Sequence, residues 1–337
     1  MRVLLTRLSA LGDIVHTWPL ADALTRGERR VELAWVVEEP FLPLVRFHPG
    51  VTRAIPVATR RWRRKPFAAS TRREILEARR LLREFAPEVA LDPQGLYKSA
   101  VWGLLSGAKE RVGLTRGLRR EALSGLCYTH AVAPPPGLRH VIDRNLSLVE
   151  SLRVAAPYGA SPDGTFLLRW VKPSQDPPAV ALLPGTGGIG KAWPSESFAA
   201  LARQTANRGI PVTVVWGPGQ RELAESIVDG AGPGVTLAPA TSLLELAALL
   251  ARCVAVVGGD TGPVHLAASL GVPTVAVFVA TDPERNGPRG PHVRVVAAAL
   301  TGVKGGRAHS GAMGEATVAE VLDALAGAMG NAEHRAG

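Results

Sequence analysis

Short apolar runs alternating with helical spacings come in two successive series along this chain, the second restarting at Val180. In the first series Val3-Leu4-Leu5 and residues 31–37, 54–57 and 89–92 read as strands, the third short or at an edge because of Pro56. Residues 13–24, 74–85 and 95–105 have helical spacing, and a long segment, 140–154, closes this half. Residues 155–178, with scattered Pro, Gly and Asp, read as a linker. The second series has strands at 180–183, 212–216, 253–257 and 273–279 and helices at 195–208, capped by Ser195, and at 222–228, 243–250 and 266–270. A Gly-rich stretch, 301–314, and an amphipathic helix, 315–329, complete the chain. Strands joined by helical crossovers pair in parallel. The expected architecture is therefore α/β, with two Rossmann-like domains facing across a cleft and ligands at the carboxyl ends of the strands.

At 337 residues, 46% hydrophobic and 20% charged, the chain is globular and long enough for two cores. Cys127 and Cys253 stand far apart, which supports neither a disulfide framework nor a cysteine zinc site, and a reducing cytoplasm is the natural compartment. The start, Met1-Arg2-Val3-Leu4-Leu5-Thr6-Arg7, is broken by charge before a signal-peptide core can form, and no apolar stretch approaches a bilayer span. The expected protein is soluble or peripheral to a membrane. Its net charge of +10 is unevenly placed: residues 1–150 hold 25 Lys/Arg against 15 Asp/Glu, and the rest balances at 14 of each. The first half is the one expected to meet an anionic partner.

Candidate chemistry falls at the strand-to-helix turns. Gly258-Gly259-Asp260-Thr261-Gly262-Pro263-Val264-His265 runs from strand to helix. Its amides suit a phosphate, Asp260 suits neutral hydroxyls and His265 could donate. Taken alone, it fits an ordinary capped turn with a buried histidine equally well. Asp13 opens a helix after the first strand, where a carboxylate either stabilises the dipole or acts as general base. The loop Gly185-Thr186-Gly187-Gly188-Ile189-Gly190-Lys191-Ala192 has P-loop-like spacing but ends in Ala192, which has no hydroxyl for magnesium, so Walker-type hydrolysis is not expected. Thr186, the glycine amides and Lys191 could still hold a diphosphate. Trp216 could face a nucleoside and Glu222 a ribose. The run Arg60-Arg61-Trp62-Arg63-Arg64-Lys65 suits phosphates at a membrane surface, or a solvated face. Motifs of nucleic-acid-binding folds are missing from the sequence.

As an ordered set spanning nearly the whole chain, several segments resemble the ADP-heptose:lipopolysaccharide heptosyltransferases, glycosyltransferase family 9, and among them the heptosyltransferase I group. These are Ser9-Ala10-Leu11-Gly12-Asp13-Ile14-Val15-His16-Thr17, Trp35-Val36-Val37-Glu38-Glu39, Ile55-Pro56-Val57-Ala58-Thr59-Arg60-Arg61-Trp62-Arg63, Gln94-Gly95-Leu96-Tyr97-Lys98-Ser99-Ala100, Lys191-Ala192-Trp193-Pro194 and Asp260-Thr261-Gly262-Pro263-Val264-His265-Leu266. The resemblance implies a GT-B fold with an acceptor-binding domain at 1–158, a nucleotide-sugar-binding domain at 176–310 and a terminal helix at 315–330. It implies Asp13 as catalytic base, Lys191 beside the donor diphosphate, and Asp260, Thr261, Gly262 and His265 along the donor. Arg60, Arg61, Arg63, Arg64, Gln94 and Lys98 would face the acceptor. The implied reaction is inverting and metal-independent, uses no cofactor, and moves heptose from ADP-heptose to Kdo-lipid A at the inner face of the cytoplasmic membrane. A relative adding a later heptose is the alternative. From another class come a non-catalytic nucleotide-sugar-binding protein and a nucleic-acid-binding one.

Overall fold

A computed structural model describes the chain at all residues except 28–29, 173–176, 186–191, 298–302, 305–306, 309–315 and 337. It divides into two compact units, Met1–Pro162 and Asp163–Gly337.

In the first unit the order is β1 (Arg2–Thr6), α1 (Leu11–Val15), α2 (Trp18–Thr25), β2 (Glu32–Glu38), α3 (Leu42–Arg46), β3 (Arg53–Val57), α4 (Thr59–Arg64), α5 (Ala69–Phe85), β4 (Val89–Asp92), α6 (Tyr97–Ser106), β5 (Glu110–Leu114), β6 (His130–Val132) and α7 (Val141–Leu146). Its sheet runs β3-β2-β1-β4-β5-β6, all parallel. β3 is indeed an edge strand, where Pro56 can sit without costing the sheet a ladder bond on both sides. The helix expected over 13–24 is two helices. Pro19 in the first turn of α2 offers no N–H to the carbonyl a turn earlier, so the chain breaks at His16 and Thr17. The Thr17 hydroxyl closes the gap by donating to the Asp13 carbonyl at 2.7 Å.

The second unit repeats the plan with β7 (Val180–Leu183), α8 (Ser195–Ala206), β8 (Val212–Val214), α9 (Arg221–Ala231), β9 (Val235–Leu237), α10 (Leu243–Arg252), β10 (Ala255–Gly259), α11 (Gly262–Ser269), β11 (Thr274–Phe278), α12 (Pro283–Asn286) and β12 (Val293–Ala297). A two-residue ladder, β13 (Val303–Lys304) with β14 (Arg307–Ala308), and α13 (Val318–Ala336) follow. The sheet order, β12-β11-β10-β7-β8-β9, is the first unit's order read from the other edge. Part of the expected linker belongs to this unit: Thr165–Trp170 is a 3₁₀ turn that buries Phe166 and Leu167. Ser195 is the first residue of α8, with Pro194 in the cap position. Both units are thus Rossmann-like and the fold is α/β of the GT-B type, with each strand order reversing between two central strands, β1/β4 and β7/β10. Outside the carboxyl ends of such a pair the neighbouring loops diverge and leave a crevice.

Each core is built on that central pair. Val3, Leu4 and Leu5 of β1 and Val180, Ala181 and Leu182 of β7 are fully buried. Gly258 in β10 is fixed by packing, since a Cβ there would lie 2.7 Å from both Leu183 and Val264. α13 packs on β11, β12 and α8. Trp193 is buried edge-on to Phe198 and donates to the Ala316 carbonyl at 2.8 Å, which anchors the chain leaving the Gly-rich loop.

Candidate active site

At the β1 switch point, Asp13 sits in the first turn of α1 with its side chain 17% exposed. Its carboxylate accepts the Ala10 N–H at 3.2 Å, as a first-turn acid does at a helix start. Two guanidiniums meet it. Arg7, buried directly after β1, donates to Oδ1 at 2.8 Å and also holds the Pro93 carbonyl at 3.0 Å and the Asp13 carbonyl at 3.3 Å. Burial pushes the Arg7 guanidinium below its usual range, and the Asp13 charge acts against that shift. Arg120, 55% exposed, reaches both carboxylate oxygens at 3.3 and 3.4 Å. One carboxylate and two cations make the cluster formally positive.

A buried network carries Arg120 to this place. Asp92, at the end of β4, accepts from the Gln94 and Gly95 amides at 2.9 and 3.2 Å, from Ser99 at 3.0 Å and from Tyr128 at 2.7 Å. Burial still pushes its carboxyl up. Gly95 adopts φ +65, and a Cβ there would stand 3.1 Å from the Arg119 Cα, so the β4 turn and the Arg119–Arg120 backbone touch. The Glu121 N–H donates to the Gly95 carbonyl at 3.0 Å, while Glu121 accepts the Tyr97 amide at 2.7 Å. Gln94 is buried, and its side-chain oxygen accepts the Leu8 amide at 2.8 Å, bracing the loop that presents Asp13.

The basic run forms α4, and its members differ. Arg60, Arg63 and Arg64 are exposed, whereas Arg61 pairs with Glu39 and Glu74 at 2.8 Å each. Trp62 does not face a membrane surface. It is buried, with its ring tilted at 54° to that of Trp102 and centroids 6.1 Å apart, and it donates to Glu74 at 2.6 Å. A surface helix turns one face to the core, and Trp62, the apolar residue of this run, takes that face. Lys98 lies in the first turn of α6 within the electrostatic reach of Arg60 and Arg63; burial, more than those charges, lowers its pKa.

In the second unit the loop holding Thr186, Gly187 and Lys191 lies outside the described residues. At the switch point of this unit, α11 starts at Gly262 with Thr261 in the cap position, although the Thr261 side chain makes no capping bond. Asp260 accepts the Thr281 hydroxyl at 2.8 Å, and the buried His265 brings Nε2 to 3.6 Å from its other oxygen. Trp216 donates its indole N–H to the Ala238 carbonyl at 2.8 Å and carries the Arg221 guanidinium over its ring at 5.7 Å; Glu222 is exposed in the first turn of α9. Gly185 lies two residues beyond β7, where a Cβ would strike the Gln220 amide, so the loops after β7 and β8 adjoin. Among the described residues no group of three or more His, Cys, Asp or Glu could hold a metal ion.

Sequence reasoning missed Arg7, Arg120 and the Asp92 network. Position alone could have suggested Arg7, a charge inside an otherwise apolar strand end. Arg120 stands among many arginines and gave no local signal.

The family described as glycosyltransferase family 9 (heptosyltransferase) matches residues 75–306. Lipopolysaccharide heptosyltransferase 1 of Pseudomonas aeruginosa is 34% identical over 292 residues, 86% of this chain and 82% of that protein. The Escherichia coli K12 protein of the same name is 33% identical over 291 residues, 84% of this chain and 89% of its own. Among solved structures, E. coli heptosyltransferase WaaC with ADP superposes with a TM-score of 0.82 at 29% identity, covering 97% of this chain and 100% of that one. E. coli ADP-heptose lps heptosyltransferase II, at 22% identity, gives 0.76 over 99% and 100% and speaks to fold alone.

Proposed function

The chain belongs to glycosyltransferase family 9, the heptosyltransferases, and from that premise we propose that it transfers heptose from ADP-heptose to the Kdo residue of Kdo-lipid A, with inversion. Support for this donor and acceptor comes from relatives: those at 33–34% identity bear the name heptosyltransferase 1, and a structure of similar fold was solved with ADP. The observation that carries the chemistry is the Asp13 carboxylate at the β1 switch point, held by Arg7 and Arg120. In the reaction Asp13 takes the proton from an acceptor hydroxyl, whose oxygen forms the new bond to the anomeric carbon. The bond from that carbon to the ADP oxygen breaks, and ADP leaves with the electron pair.

The leaving diphosphate gathers negative charge. Lys191 and the amides at the start of α11 are the groups assigned to receive it, without a metal. Thr186 and Gly187 hold the diphosphate, Asp260 and His265 line the donor, and Trp216 and Glu222 take the nucleoside. The acceptor's phosphates and carboxylate meet Arg60, Arg63 and Arg64 together with Lys98, and the enzyme works on the cytoplasmic face of the membrane, where its acceptor is anchored. Arg61 and Gln94 support this surface through Glu39, Glu74 and Leu8.

Replacing Asp13 tests the reading. Asp13→Asn keeps the shape and removes the base, so turnover should fall by roughly 10²–10⁴ while calorimetric ADP affinity stays near the parent's. Turnover close to the parent's would remove Asp13 from the mechanism.

A further inference from the structure

Several large apolar side chains of the first unit stand in solvent on two adjoining elements. On α6, Tyr97 and Leu104 are seven residues apart, lie on one helix face and are about half exposed. Beside α6 packs the 3₁₀ turn Ala122–Cys127. At three residues per turn its Leu123 and Leu126 eclipse one another, and they are 66% and 80% exposed. Such chains can be spared singly, but stripes on neighbouring elements mark a contact surface. The surroundings are cationic. α4 lies against α6 through the Trp62–Trp102 contact, and it carries exposed Arg60, Arg63 and Arg64. The connection from α4 to α5 adds Lys65 and then Phe67, which is 100% exposed. All of the chain's excess positive charge lies in residues 1–150. No helix among the described residues is long and apolar enough to cross a membrane.

We propose that Tyr97, Leu104, Leu123 and Leu126 form the face by which the first unit seats reversibly on an anionic lipid bilayer, with the α4 cations as its rim. Apolar side chains enter the interfacial layer, and the cations meet lipid phosphates. A protein partner would match the apolar stripes, but the first unit's excess of positive charge and the exposed α4 arginines favour a phosphate-rich surface. This inference deepens the proposed function by assigning the surface that brings the enzyme to its lipid-borne acceptor.

The test is sedimentation of the full chain with vesicles of phosphatidylcholine containing about a third phosphatidylglycerol and no acceptor, since such anionic lipids attract cationic surfaces. The parent should bind these vesicles, and Leu123→Ser/Leu126→Ser should bind at least tenfold more weakly with an unaltered thermal midpoint. Transfer to a deacylated, water-soluble acceptor should be unchanged in that variant, so a failure of the proposed reaction would show in the parent and a failure of the docking face would not. Equal vesicle binding by parent and variant would overturn the assignment. So would a parent that ignores vesicles and forms a dimer that the double substitution abolishes, because the face would then join two copies of the chain.

Discussion

Arg7 fixes where the Asp13 carboxylate stands, and it does so through three bonds that only a planar, forked cation can make together. Lysine in its place keeps the charge and loses the fork. Arg7→Lys should therefore lower kcat about tenfold or more, as a misplaced catalytic group does, with the KM for ADP-heptose unchanged. Steady-state kinetics with both substrates checks this, and a rise in donor KM at constant kcat would contradict it. Within α4 the expected effects diverge. Arg60→Ser and Arg63→Ser should raise the acceptor KM, whereas Arg61→Ser, by releasing Glu39 and Glu74, should mainly lower the thermal midpoint. Asp13 was legible in the sequence because strand, loop and helix start are local signals. Arg120 was not, since it reaches Asp13 from 107 residues away through the folded Asp92 network.

Turns and helix contacts set the next scale. The β4 turn depends on Gly95, whose positive φ strains any side chain and whose Cβ would press to 3.1 Å from the Arg119 Cα. Gly95→Ala should destabilise the first unit by about 1–3 kcal/mol, read as a shift in denaturant midpoint, and should lower activity by displacing Arg120. A parent-like midpoint would show that the turn relaxes freely. The α4–α5 contact depends on Glu74, whose carboxyl is held below its ordinary range, first by Arg61 and then by the Trp62 indole. A depressed folded pKa adds stability above the unfolded value, about 4.3 for Glu, and that stability is lost as pH falls through the folded pKa. Glu74→Gln should therefore be less stable than the parent near neutrality, with the gap closing below about pH 4; a gap independent of pH would contradict the pairing. Central strands were legible because they are continuous apolar runs. β5 and β6 were not, since Glu110, Arg111 and His130 interrupt their apolar character and pairing with β4 and with each other defines them. The break between α1 and α2 was masked because the apolar spacing continues across it while Pro19 disrupts the hydrogen bonding.

For the molecule as a whole, the restart of the strand–helix series at Val180 was enough to read two Rossmann-like units, and their matching strand orders bear that out. The sequence also showed where the positive charge lies, because charge is additive along a chain. It could not show that Trp62 is core and Arg61 is paired, since those facts arise from packing between helices. The proposed reaction uses Asp13 and the acceptor groups assigned to the first unit together with the donor groups assigned to the second. Its most direct measurement is product analysis by mass spectrometry after incubating the purified chain with ADP-heptose and Kdo-lipid A in the presence of a metal chelator. The acceptor should gain the mass of one heptose through a linkage inverted relative to the donor, and Asp13→Asn should form that product roughly 10²–10⁴ times more slowly. Release of ADP with no change in acceptor mass, or transfer only to an acceptor that already carries a heptose, would contradict the proposed reaction.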